Sequence, residues 1–283
     1  MKFLLILVFI AFSSAQTVDW CNIANCPQRS HLWCLNPYFE LSEACNQNGA
    51  NLATINQALQ TIIVDRHNFH RNAVAGGTVT GSDGLLPRAA RMASIQWSPE
   101  LARVAQLNAL RCAFGHDTCR RTPDFPYSGQ NLAGLWTSFN ETSPSFVIQE
   151  YLIEMINLWF SEHRNTRRQD ITTFTTLNVN GQPIGHFTSL VNEHQTHVGC
   201  AVIHYQDSGS RFHYIVCNYA FTNIQGFRVY TDSTTAGSGC TTGRNPVYNN
   251  LCSINERIDV KNPFIGTANI ADDSGIVTIG GFF

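Results

Sequence analysis

Ten cysteines behind an apolar leader constrain this chain more than any other feature. The sequence has 283 residues, and its cysteine count is even. Residues 1–15 contain one lysine, an apolar run too short to span a bilayer, and small residues before a cleavage point after Ala15. They predict a secretory signal peptide, and therefore export into an oxidising compartment. In that compartment ten cysteines predict up to five disulfides and no free catalytic thiol.

The charge and hydropathy of the mature chain exclude several classes of partner. The formal net charge is -2, which argues against nucleic acid or an anionic membrane surface as the main partner. No segment after the leader approaches the roughly 20 apolar residues of a membrane helix. We expect a secreted, extracellular protein without a transmembrane segment. Asn140 begins an Asn-Glu-Thr sequon and is the predicted glycosylation site.

The chain divides by composition into three parts after the leader. Residues 16–53 hold four cysteines among Asn, Pro and Gln without helical or strand periodicity, which predicts a loop-rich, disulfide-held N-terminal arm. Residues 54–230 carry the periodic segments of one folded domain. Residues 231–283 are rich in Thr, Ser, Gly and Asn. Cys240 and Cys252 enclose a short loop there, which predicts a tail closed by a local disulfide.

Three helices are predicted in the first part of the domain. The first begins at Thr54, where a capping-box spacing precedes an apolar face, and ends at Gly76. The second begins at Ser98, which a proline follows, and stops at Gly115. The third repeats this start at Ser143. Its predicted inward residues are Ile148, Tyr151, Leu152, Met155, Leu158 and Trp159.

The later part of the domain changes to strands. Residues 186–191, 198–205 and 212–219 are aromatic and β-branched runs. The last two runs are joined by a polar turn that contains Gly209, and this composition predicts a hairpin.

The hairpin allows one disulfide to be predicted from register. If Tyr205 faces Phe212, then Cys200 faces Cys217, because each cysteine lies five residues further from the turn on its strand. Directly opposed Cβ atoms lie about 4.5 Å apart in a non-hydrogen-bonded pair, near the range that a disulfide needs. We therefore predict a bond between Cys200 and Cys217.

Four polar side chains are candidates for a common site. His116 lies between two cysteines, just past the predicted end of the second helix. Gln130 lies in a predicted loop. Glu162 extends the inward stripe of the third helix, and His186 opens a predicted strand. The local patterns alone do not bring these four residues together.

Six separated motifs resemble, in order and spacing, those of the CAP superfamily, which comprises cysteine-rich secretory proteins, antigen 5 and plant pathogenesis-related proteins. The resemblance covers about residues 21–230, and the cysteine-rich arm with Gly-His-Asp-Thr-Cys is similar to the insect antigen 5 branch. The motifs begin at Phe114 (FGHDTC), Gly129 (GQNLA), Trp159 (WFSE), Gly185 (GHFT), His197 (HVGC) and Tyr214 (YIVCNY).

The resemblance implies an α+β fold, a three-layer α/β/α sandwich with a central antiparallel sheet and an open cavity. Carried over by position, the family's cavity tetrad falls on His116, Gln130, Glu162 and His186. The implied disulfides are Cys21 with Cys34, Cys26 with Cys119, Cys45 with Cys112, and Cys200 with Cys217. Cys240 and Cys252 are the remaining pair and lie outside the resemblance.

The chain departs from the family pattern at three places. Gln130 stands where most members have glutamate, so one acid of the tetrad is an uncharged amide. Ser189 and Asn192 replace the Gln and Trp that usually follow Gly-His-Tyr-Thr. The loop 192–197 is therefore atypical, and we expect it to bring extra histidines near the cavity strand.

The resemblance implies a non-enzymatic secreted protein that binds a small lipid or sterol, or an extracellular protein target. A divalent metal, zinc or copper, on His116 and His186 is a further hypothesis, since neutral imidazoles are good ligands for both ions. One alternative is a metal-dependent hydrolase that uses the His/Glu cavity, with Ser161 or Ser189 as a nucleophile. The other is an extracellular scaffold with no ligand.

Overall fold

The computed structural model describes residues 18–138 and 147–262. Three of the predictions fall on other residues. The signal peptide at 1–15, the glycosylation site Asn140 and the helix start at Ser143 lie outside the described residues. Within the described ranges, no helix is long and apolar enough to cross a membrane.

Seven α-helices and eleven strands lie within the described ranges. The helices are α1 (Leu32–Leu35), α2 (Glu43–Gln47), α3 (Gln57–Ala75), α4 (Pro99–Ala109), α5 (Ile148–Ser161), α6 (Arg168–Thr172) and α7 (Gly185–Val191), with a 3-10 turn at Glu162–Asn165. The strands are β1 (Asn51–Leu52), β2 (Thr80–Gly81), β3 (Gly84–Leu85), β4 (Arg88–Ala89), β5 (Gln96–Trp97), β6 (Gly129–Ser138), β7 (Asn178–Val179), β8 (Gln182–Pro183), β9 (His197–Asp207), β10 (Ser210–Tyr219) and β11 (Asp232–Ser233).

A five-stranded sheet forms the middle of the domain. Its strand order is β1-β9-β10-β6, and the short β5 also pairs with β9. The pairings along this path are antiparallel, whereas β5 joins β9 in parallel. The central antiparallel sheet is therefore confirmed, with one short parallel strand added.

Helices cover both faces of this sheet. The face that includes Val202 and Ile215 packs against buried residues of α3, α5 and α7. The opposite face, which includes Ile203 and Tyr214, packs against α4. α4 lies so close to β9 that a Cβ on Gly199 would be 2.1 Å from the backbone nitrogen of Ala102. The predicted three-layer α/β/α sandwich is confirmed.

The β9–β10 hairpin has the predicted register. Ser208 and Gly209, with φ angles of 50° and 81°, form a two-residue turn of the kind that favours positive φ. Tyr205 pairs with Phe212, and Cys200 pairs with Cys217. A disulfide joins these two cysteines.

Three further disulfides hold the N-terminal arm. They join Cys21 to Cys34, Cys26 to Cys119, and Cys45 to Cys112. The last two connect the arm to the segment that contains His116. After α2 the arm continues into β1, which adds a short edge to the central sheet. The arm is thus attached to the domain by covalent bonds and by strand pairing.

The C-terminal tail forms a local disulfide loop and also contacts the domain. The disulfide between Cys240 and Cys252 encloses a local loop, as expected. The tail also packs on the domain, because Leu251 in the loop is fully buried in the main core and Glu256 after it pairs with Arg91 at 2.6 Å. The domain boundaries at residues 53 and 230 stay a prediction.

Two helix boundaries differ from the predicted ones. α3 begins two residues later than the capping box suggests, because the side chain of Asn56 accepts from the Leu59 amide at 3.1 Å. α4 begins after Ser98 as predicted but ends at Ala109, well before Gly115. Cys112, bonded to Cys45, has a left-handed φ of 47°, and a helix cannot continue through that conformation.

The inward stripe of α5 is largely as predicted, with one error. Tyr151, Leu152, Met155 and Trp159 are buried. Leu158 is 54% exposed, so its assignment to the stripe was wrong. Successive helical residues point about 100° apart, and the buried Trp159 turns its neighbour toward solvent.

The run 186–191 is a helix, so the predicted strand was wrong. A short apolar run cannot be assigned by periodicity alone. Two observations explain the outcome. The Glu162 carboxylate accepts from the backbone amides of His186 and Phe187, which caps the start of α7. Thr188 donates its hydroxyl to the Ile184 carbonyl four residues back, a contact that a helix permits.

His67 is a fully buried link between α3 and the sheet. Its Nδ1 lies 2.7 Å from the Ile63 carbonyl, which can only accept, so Nδ1 carries the proton. Its Nε2 therefore accepts from the Tyr219 hydroxyl at 2.9 Å. Burial lowers the pKa of His67 to about 3, because the charged imidazolium would be poorly solvated.

This depressed pKa predicts a loss of stability in acid. Between about pH 6.5 and pH 3 the unfolded chain protonates His67 and the folded chain does not, so stability falls as pH falls. His67→Gln keeps one donor and one acceptor and removes the titration. Urea unfolding at several pH values should show a slope of stability against pH that is shallower by about 1.4 kcal/mol per unit.

The matched control for this prediction is His163→Gln. Burial also lowers the pKa of His163, but this side chain is only partly buried. Its slope should stay close to that of the unmodified protein. An unchanged slope in His67→Gln would contradict the assignment of a neutral, buried His67.

Candidate functional site

A cavity of about 540 Å³ lies between the start of β6, the start of α7 and the loops around residues 174–178 and 222–225. Three of the four predicted site residues, His116, Gln130 and His186, line it. Its size is within the roughly 300 to 1,000 Å³ of small-molecule sites.

His116 lies in the irregular segment after α4 and is oriented by Gln130. Its Nδ1 is 2.6 Å from Gln130 Oε1. The Gln130 Nε2 donates to Asp117 Oδ2 at 2.8 Å and to Asn218 Oδ1 at 2.9 Å. With both acceptors on the amide nitrogen, the amide oxygen faces the ring, and His116 must donate from Nδ1. The unprotonated nitrogen of this ring is therefore Nε2.

Asp117 is the buried charge behind this pair. Its Oδ1 accepts from Arg120 Nε at 2.7 Å, and its Oδ2 also accepts from Asn108 at 2.9 Å. Burial opposes the charge on Asp117, but Arg120 and the amide donors of Asn108 and Gln130 outweigh it and hold its pKa below the ordinary value. The carboxylate is thus a fixed acceptor for Gln130.

His116 is neutral at ordinary pH. Burial lowers its pKa to about 4, and the nearby positive charge of Arg120 acts in the same direction. A neutral imidazole offers a lone pair on Nε2 for a hydrogen-bond donor or a metal ion.

His186 has the same arrangement with a different partner. Glu162 follows the end of α5 and is 7% exposed. Its Oε1 lies 2.6 Å from His186 Nδ1, and its Oε2 accepts from two backbone amides at the start of α7. The carboxylate fixes both the ring and the helix that carries it.

The four predicted residues form two pairs rather than one four-ligand cluster. His116 contacts Gln130, and His186 contacts Glu162. Within the described parts of the chain, no group pairs with Nε2 of either ring. The same residues contain no cluster of three or more His, Cys, Asp or Glu that could hold a metal. The geometry thus offers two imidazole lone pairs to one cavity.

Gln130 lies in β6, so its assignment to a loop was wrong. It pairs with Asn218 of β10 in the central sheet. The stretch around it is polar because its side chains face the cavity and its polar partners, and a polar stretch lacks the apolar alternation by which strands are recognised.

The extra histidines of the loop 192–197 do not reach the cavity. The His194 ring packs on Phe221 at 4.7 Å, and the His197 ring packs near Phe125 at 5.4 Å. Neither residue is part of the cavity lining. Ser189 lines the cavity, but its Oγ is buried and has no hydrogen-bond partner among the described residues.

Three supporting residues were missed in the sequence. Asp117 and Asn218 hold Gln130, and Asn131 donates to the His186 carbonyl at 3.1 Å and to the Tyr219 hydroxyl at 3.3 Å. Asp117 is adjacent to His116, and an acidic side chain next to a candidate site histidine was a sequence signal that could have identified it. For Asn218, on a different strand, no local pattern existed.

Comparison with known proteins identifies the family. The profile of the Cysteine-rich secretory protein family (CAP) matches residues 64–219, which is more than half of the chain. The chain belongs to the CAP family. Venom allergen-1 of Aedes albopictus is 36% identical over 256 residues, which cover 90% of this chain and 94% of that protein. Antigen 5 like allergen Cul n 1 of Culicoides nubeculosus is 30% identical over 220 residues, covering 75% and 94%. The relationship to antigen 5-like CAP proteins is confirmed.

Solved structures confirm the CAP fold. Na-ASP-1 matches with a TM-score of 0.59 and 22% identity, covering 76% of this chain and 50% of that one. NaASP2, whose crystal structure was determined with Zn²⁺, matches with a TM-score of 0.56 and 22% identity, covering 70% and 96%. At this identity the likeness concerns the fold alone.

The geometry predicts that Glu162 is essential for the order of α7. Glu162→Gln replaces one acceptor oxygen by a donor, which must then face the His186 ring or the two backbone amides. The mismatch should lower the free energy of unfolding by about 1 to 3 kcal/mol, measured by urea unfolding. Glu154→Gln, at an exposed position on the same helix, should change it by less than about 0.5 kcal/mol. Equal effects of the two substitutions would contradict the capping role.

Proposed function

We propose that this CAP protein is a secreted, non-enzymatic binding protein whose cavity holds a divalent transition metal ion, zinc or copper, between His116 and His186. The observation that carries the proposal is the pairing of each ring. Both histidines donate from Nδ1 to a fixed acceptor, so the neutral form of each ring carries its lone pair on Nε2. Metal-binding histidines are typically held in this way by a carboxylate or another acceptor.

The donor set fits such an ion, with limits on affinity. Two neutral imidazoles suit zinc and copper. A closed structural zinc site has four protein ligands, so two ligands imply weaker binding and leave positions for water or another molecule. The crystal structure of NaASP2 with Zn²⁺ makes zinc the first ion to test.

Metal binding is tested on the metal-free protein at neutral pH. Titration calorimetry with Zn²⁺ and with Cu²⁺ should give one ion per chain. His116→Ala and His186→Ala should each weaken binding at least tenfold, because each removes one of two ligands. His163→Ala is the matched control, since His163 contacts the Thr80 carbonyl outside the cavity lining. Binding that survives both cavity substitutions would refute the site.

A small lipid or sterol is the second candidate ligand. One side of the cavity is apolar and includes Phe174, Leu177 and Pro183, and apolar surface of this kind favours a hydrocarbon part of a ligand. Organic extracts of native protein, analysed by mass spectrometry, should contain a lipid that Leu177→Asp no longer retains. His116→Ala should retain it, because the apolar side is unchanged. Extracts without lipid would reject this candidate.

Two alternatives are a hydrolase and a scaffold without a ligand. A hydrolase would need a nucleophile beside the Glu162–His186 pair, and the two serines considered for this role are otherwise engaged or enclosed. Ser161 donates to the Leu158 carbonyl at 2.7 Å, and the Ser189 hydroxyl is buried. A protein that binds neither metal nor lipid would be an extracellular scaffold.

A further inference from the structure

The amide of Gln130 can present either an acceptor or a donor to His116, whereas the carboxylate of Glu162 presents only acceptors to His186. A carboxylate accepts through both oxygens, so His186 can only donate to it. An amide has one oxygen and one nitrogen, and a half-turn of its end group would present a donor to His116 instead. The proton on His116 would then have to move to Nε2, where it would block the lone pair.

We infer that Asp117 is the positioning residue that sets the tautomer of His116, by fixing the amide of Gln130 so that its oxygen faces the ring. The contacts form one chain: Asp117 Oδ2 accepts from Gln130 Nε2 at 2.8 Å, and Gln130 Oε1 accepts from His116 Nδ1 at 2.6 Å. Asp117 lies outside the cavity lining, and its hydrogen bonds reach the His116 ring through Gln130.

Asn218 cannot fix the amide by itself. Its Oδ1 accepts from Gln130 at 2.9 Å, but its Nδ2 is buried without a hydrogen-bond partner in the described part of the protein. If the Gln130 amide turned over, Asn218 could turn with it and donate from Nδ2. Asp117 has no such freedom, since both of its oxygens only accept. Asp117 therefore determines the direction in which the hydrogen bonds from His116 through Gln130 are donated.

Arg120 makes Asp117→Asn an informative substitution. In the variant, Arg120 Nε, which lies 2.7 Å from Oδ1, retains the side-chain oxygen. The new amide nitrogen then occupies the place of Oδ2 and faces the donors of Gln130 and Asn108. Asn108 keeps its bond to the Gly115 carbonyl. Two donors cannot pair, so the Gln130 amide turns over, its nitrogen faces His116, and the ring proton moves to Nε2.

The tautomer is measured directly in metal-free protein labelled with ¹⁵N in its histidines. The ring nitrogen shifts show which nitrogen carries the proton, and a His116→Gln spectrum assigns the signal among the ten histidines. We expect the proton of His116 on Nδ1 in the unmodified protein and on Nε2 in Asp117→Asn. A proton on Nε2 in the unmodified protein would overturn the inference even if the variant failed to fold.

Gln130→Glu is the matched variant. Its carboxylate can still accept from Nδ1, so the tautomer should be retained, although two acids then lie side by side. A purely structural role for Asp117 would leave the tautomer unchanged in both variants, and that result would also overturn the inference.

Zinc titration supplies a second measurement, and this one rests on the proposed function. Asp117→Asn should bind Zn²⁺ about 10- to 100-fold more weakly, as for other residues that orient a metal ligand, and Gln130→Glu should not. If the unmodified protein bound no zinc, the proposed function would fail and the tautomer result would stand by itself. If Asp117→Asn carried the His116 proton on Nε2 and still bound Zn²⁺ normally, the tautomer role of Asp117 would stand and its effect on metal binding would be refuted.

Discussion

The segment that carries His116 depends on covalent attachment to the N-terminal arm. The segment has little regular structure between α4 and β6. Two disulfides flank His116: Cys112 is bonded to Cys45, and Cys119 is bonded to Cys26. These bonds close loops of 67 and 93 residues, and closure of such loops stabilises the folded state by roughly 4 to 5 kcal/mol each in the chain-entropy model. Cys112 also ends α4, so the same constraint turns the chain and brings His116 to the cavity.

The cavity places each histidine in front of a partner, and the two partners differ in charge. Glu162 is an acid that also caps α7, which explains why the end of one helix and the start of another meet at His186. Gln130 is neutral, and the charge behind it is shared between Asp117 and Arg120. One side of the site is thus held by a single charge. The other side is held by a balanced ion pair acting through an amide.

The features predicted correctly from sequence depend on contacts between residues close in the chain. The Ser98 cap, the hairpin at Gly209 and the disulfide that follows from its register are of this kind. The errors have distant causes. Residues 186–191 form a helix because Glu162 caps it, and α4 ends early because Cys112 is bonded to the arm. The predicted site residues came from the resemblance to a known family. The partners Asp117 and Asn218 of Gln130 were not predicted, because no local pattern brings them together.

The charge of the cavity has a consequence for what accompanies a bound cation. Asp117 and Arg120 cancel, His116 is neutral, and Glu162 contributes one negative charge beside His186. A divalent ion between the two rings would therefore retain a net positive charge, and a buried net charge is costly unless it is paired. The open coordination positions consequently favour an anionic partner, such as a carboxylate, over a neutral one. With glutamate at position 130 this preference would weaken, because a second acid would already compensate the ion. The amide at Gln130 thus bears on both the tautomer of His116 and the charge of any molecule that completes the site.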